Sequence, residues 1–88
     1  MSSMLDKILE QYPDEEFVKV DDYDDCIVGV VHKAGSQPVL LYSREKIIQR
    51  TSEHQSWTHE ESVEWHEFNT FPAYYGDGTP AFWELPHE

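Results

Sequence analysis

His59 and His66 stand seven residues apart, each followed by a glutamate, Glu60 and Glu67. On one helix they would share a face, and imidazole beside carboxylate is the raw material of metal binding and of acid–base catalysis. Their spacing opposes a shared ion. Seven residues span about 10.5 Å along a helix axis, whereas the zinc-protease pattern places its histidines four apart. Cys26 is the only cysteine, so neither an intramolecular disulfide nor a cysteine zinc site can form. Asp25 beside it should raise its pKa, which opposes a reactive thiolate. The Asp21–Asp25 run lacks the glycine and the distal glutamate of a calcium loop and reads as a solvated turn. Gly76-Asp77-Gly78 has no phosphate-loop lysine and reads as a turn. No cofactor, no metal and no catalytic residues are expected. The rival reading is a small metal-dependent or acid–base enzyme built on His59 and His66.

A second group of residues points to binding. Glu60, Glu64 and Glu67 recur at i, i+4 and i+7, which makes one acidic stripe on a helix. Its steps of about 6 and then 4.5 Å along the axis echo a row of phosphates. Trp65 and Phe68 fall on the side away from Val63, His66 and Thr70, so both should be partly exposed. Exposed aromatics inside an acidic rim have the make-up of a protein interface. The expected partner-binding set is therefore Glu60, Glu64, Trp65, Glu67 and Phe68. A plain solvated helix face, with the aromatics tucked under a neighbouring helix, is the competing explanation.

These residues belong to a chain of 88, enough for one modest core. The net charge is −12 and is unevenly placed. Residues 1–25 carry −7, residues 26–50 carry +3, and residues 51–88 carry eight acids with no Lys or Arg. Such a balance repels nucleic acid and anionic membrane and favours a basic protein partner. Aromatics make up 14% of the chain and can build a core despite the charge. No basic leader and no long apolar run is present, so a cytosolic protein is expected.

Local signals place the elements. Ser3 caps a short amphipathic helix over 3–12 that Pro13 stops. Phe17–Val20 alternates and is expected to form a short strand. Cys26–His32 and Pro38–Tyr42 read as strands joined by the Ala34–Gln37 loop, forming an antiparallel hairpin at the centre of the sheet. Ser43 caps a helix over 44–54 with Ile47, Ile48 and Thr51 inward. Thr58-His59-Glu60-Glu61 is a capping box opening a helix that Pro72 ends, with Ser62, Val63, His66 and Asn69 inward. Ala81–Leu85 is the last strand. The expected fold is α+β: a small antiparallel sheet of three to four strands, with two to three helices on one face.

Four stretches together resemble a family of short bacteriophage proteins, those encoded mainly by tailed phages. They are Tyr12–Phe17, Asp22–Val30, Val39–Ser43 and the closing block Ser62–Phe82, which is similar to the family pattern EYFEFN, GAYVGE, TPIF. The resemblance covers nearly the whole chain. It implies a phage accessory protein in the cytoplasm of an infected bacterium and supplies no catalytic residues. His66 stands where that family carries an aromatic, and Pro72 where it carries glycine. A structural His66 is therefore expected, with a His66→Phe variant folding at least as well as the parent. The resulting expectation is a small acidic phage protein that binds a host or phage protein with a basic surface. It would act as an inhibitor by masking a nucleic-acid-binding site. A structural or self-assembling particle protein, hence a homo-oligomer, is the further alternative.

Overall fold

The computed structural model describes residues 3–84. Three helices and three strands follow in the order α1 (Met4–Gln11), β1 (Ile27–Val31), β2 (Val39–Ser43), α2 (Arg44–Gln55), α3 (His59–Asn69) and β3 (Ala81–Trp83). A single 3-10 turn, Asp24–Cys26, leads into β1. This is an α+β fold.

Each helix starts where a hydroxyl can take an orphan amide. Ser3 and Asp6 form a reciprocal capping box on α1. The Lys46 amide donates to Ser43 Oγ at 3.3 Å at the start of α2. Thr58 and Glu61 exchange two bonds of 3.1 and 3.0 Å at the start of α3. Such caps each contribute about 1 kcal/mol.

The core is a cluster of Leu5 and Ile8 from α1, Cys26 from the 3-10 turn, Ile27 from β1, Leu40 and Tyr42 from β2, and Ile47 from α2. Leu40 and Tyr42 alternate on β2, so both point to one face of the sheet. Leu40, Tyr42 and Ile47 are each fully buried. Ile47, Ile48 and Thr51 all point inward as their spacing predicts. α3 packs chiefly against α2.

The strand order is β1-β2-β3, so β2 is central and β1 is an edge. β1 and β2 pair antiparallel, with a bulge between Ile27 and Gly29. Strand β3 pairs with β2 in parallel, matching Leu41 to Ala81 and Ser43 to Trp83. The sheet is thus mixed rather than purely antiparallel. The reason is the crossover: residues 44–80 carry two helices between β2 and β3, and a helical crossover returns the chain in the same direction. Phe17–Val20 forms no strand. The Val20 amide donates to the Tyr42 hydroxyl at 2.9 Å instead of to a neighbouring strand. Cys26 lies in the 3-10 turn, not in β1. Leu85, the end of the expected last strand, lies outside the described residues.

Candidate binding groove on α3

The position of α3 is set by the turn before it. Ser56 adopts the left-handed conformation at the end of α2. The Trp57 amide donates to the Ser52 carbonyl at 3.1 Å, and Ser52 Oγ donates to the Trp57 carbonyl. This closes α2 and folds Trp57 back beside α3.

On the inner face of α3, Ser62 and His66 are fully buried. His66 Nε2 lies 2.8 Å from Thr51 Oγ1, and its Nδ1 lies 2.7 Å from Thr70 Oγ1. Tyr23 extends this chain, its hydroxyl 2.8 Å from Thr51 Oγ1. Rings of Tyr23, Trp65 and Phe71 surround the imidazole, with centroids 5.7, 5.0 and 5.6 Å away. Burial pushes the His66 pKa below its ordinary value. His66 is therefore structural, but it is more than an aromatic filler, because both ring nitrogens have hydroxyl partners. His59 is exposed in the first turn of the same helix. The structure does not bring the two histidines together at one open site. Among the described residues, no group of three or more His, Cys, Asp or Glu could hold a metal ion.

The outer face of α3 carries the exposed aromatics. Trp65 is 45% and Phe68 78% exposed. Together with Trp57, Glu61, Glu64 and Asn69 they line an open groove of about 430 Å³. The Trp57 and Trp65 rings lie 6.2 Å apart at 49°. Of the expected set, Glu64, Trp65 and Phe68 meet in this groove, whereas Glu60 and Glu67 do not line it.

Glu67 points to α2. Its carboxylate lies 2.8 Å from the Arg44 guanidinium, which also reaches Glu84 at 3.8 Å and stacks 4.1 Å from the Phe71 centroid. A base from outside residues 51–88 thus neutralises part of that acidic segment. Glu60 and Glu64 are exposed and have no ion-pair partner among the described residues. Asn69 is exposed rather than inward, and its Nδ2 donates to the Trp65 carbonyl at 2.8 Å.

Trp57 and Glu61 are groove residues that the acidic stripe passes over. The spacing that finds them is Trp57, Glu61, Glu64, Trp65 and Phe68, at i, i+4, i+7, i+8 and i+11. It begins one residue before the helix cap, where a search confined to the helix stops.

The Asp21–Asp25 turn is partly neutralised from within. Arg50 donates to the Asp22 carbonyl and the Asp25 carboxylate, and Lys19 lies 3.8 Å from Asp24. Cys26 is buried beside this turn, and its thiol is pushed up to about 11, first by burial and then by Asp25. No helix among the described residues is long and apolar enough to cross a membrane.

No family model matches this chain, and no curated protein or solved structure matches it.

Proposed function

We propose that this chain is a non-enzymatic binding protein whose contact surface is the outer face of α3, and that its partner is a protein with a basic surface. The carrying observation is the coincidence on one helix face of two exposed aromatics, Trp65 and Phe68, with Glu64, a carboxylate that has no ion-pair partner among the described residues. Aromatic anchors supply buried area on association, and unneutralised rim charges steer encounter. Glu60 extends the acidic rim beyond the groove. Glu67 contributes less, because Arg44 already pairs with it.

The resemblance to short phage proteins supports a setting in the cytoplasm of an infected bacterium, with a host or phage protein as the target. A basic surface that binds nucleic acid would offer the matching chemistry, and occupying it would inhibit that protein. The test is capture from host lysate with the parent chain and with an E60Q/E64Q variant, across a salt series. A basic protein held by the parent, lost to the variant and released by salt is the expected result. Capture indifferent to both the variant and salt would refute the proposal.

A further inference from the structure

We infer that the Trp57–Trp65–Phe68 groove is a receptor for one arginine side chain of the partner. This inference rests on the protein-binding reading and names the chemistry that the groove recognises.

The molecule contains two arginines, Arg44 and Arg50. Both are lodged in the same way. The Arg44 guanidinium sits 4.1 Å from the Phe71 centroid, with the Glu67 carboxylate at 2.8 Å. Arg50 sits 5.4 Å from the Tyr23 centroid and pairs with Asp25. In each seat the guanidinium meets both an aromatic ring and a carboxylate. The α3 groove repeats that arrangement a third time, with Trp57, Trp65 and Phe68 as faces and Glu61 and Glu64 as carboxylates. No Lys, Arg or His lines it, and residues 51–88 contain neither Lys nor Arg. The third seat has aromatic faces and negative charge but no cation from its own lining.

The shape favours arginine over lysine. A guanidinium is planar, stacks on an indole and presents a fork of donors to a carboxylate, whereas an ammonium is a compact, strongly hydrated charge. An open groove with two tilted indoles suits a flat cation. Glu64 supplies the acceptor. One oxygen of Glu61 already accepts from the Thr58 amide at 3.0 Å, so Glu61 adds charge more than geometry. Indole faces attract cations most strongly among the aromatic side chains.

The experiment uses the ¹⁵N-labelled 88-residue chain titrated with N-acetyl-arginine methylamide, reading the indole N–H resonances of Trp57, Trp65 and Trp83. Controls are the citrulline analogue, which keeps the shape without the charge, and the lysine analogue. Arginine should shift Trp57 and Trp65 saturably and leave Trp83 in place. Lysine should bind more weakly, and citrulline should produce no matching shift. E64Q and F68A should each weaken the arginine response about two- to fivefold. Both side chains are exposed, so neither change threatens the fold. Equal shifts from citrulline, equal shifts at all three tryptophans, or no shift up to the solubility limit would each overturn the inference. The two readings fail separately. A partner lost to E60Q/E64Q while arginine leaves the indoles unmoved removes the arginine seat alone. Arginine binding by a chain whose partner capture ignores E60Q/E64Q and salt refutes the protein-binding reading and keeps the seat.

Discussion

His66 is held neutral in the folded protein because a charged imidazolium would be buried among Tyr23, Trp65 and Phe71. In the unfolded chain the same ring titrates near its ordinary value of 6.5. With the folded pKa lowered, His66 contributes no penalty above about pH 6.5. Stability is lost as pH falls from there towards the folded pKa, by up to about 1.4 kcal/mol per pH unit. H66F isolates this effect from the titration of the carboxylates. At neutral pH the substitution should cost about 1 kcal/mol, not be neutral as the resemblance implies, since Thr70 loses its ring partner while Thr51 keeps Tyr23. The gap between parent and H66F in urea unfolding should then narrow on acidification. A gap that stays constant down to one unit below the ordinary histidine pKa would contradict this account. Cys26 gives a second prediction at this scale. Its buried thiol, raised to about 11, should resist alkylation in the native protein and react once denaturant opens the core. Rapid native-state labelling would show that the turn before β1 opens readily.

At the scale of the element, α3 depends on its cap and on α2. T58A removes one half of the capping box and should cost about 1 kcal/mol. R44A should cost about 1–2 kcal/mol, since it removes both a stacked cation and a charge-assisted bond to Glu67. E67Q should cost less, because that carboxylate is half exposed and its pairing is screened by solvent. Thermal unfolding of the three variants ranks these contributions, and E67Q more damaging than R44A would reverse the assignment. The helices were legible because their signals are local: Ser3, Ser43 and Thr58 each sit beside the amides they cap. The inward set Ile47, Ile48 and Thr51 follows from helical spacing alone. The Arg44–Glu67 pair was not legible, because its partners lie 23 residues apart and meet only when α3 docks on α2. The missing strand at Phe17–Val20 has a similar cause. Its alternation is genuine, but the hydroxyl of Tyr42, from a distant strand, takes the Val20 amide.

For the whole molecule, the decisive element is the crossover between β2 and β3. Strand content was readable from β-branched and aromatic runs, but the direction of β3 was not. Direction depends on the path of the two intervening helices, not on residues 81–83 themselves. The same crossover fixes α3 on α2 and leaves Trp65 and Phe68 on its outer face exposed among the described residues. Half of the candidate site was visible in sequence: Glu64, Trp65 and Phe68 share the groove, while Glu60 and Glu67 do not line it. A net charge of −12 would steer any basic partner towards the molecule as a whole, so a local contact must be separated from a general field. The most direct measurement is equilibrium binding of the captured partner to E60Q/E64Q and to D14N/E15Q, a pair with the same change in net charge placed beyond α1. The account predicts several-fold weaker binding for E60Q/E64Q and near-parental binding for D14N/E15Q. Equal weakening by both pairs would mean that only net charge matters, and would contradict a binding site on α3.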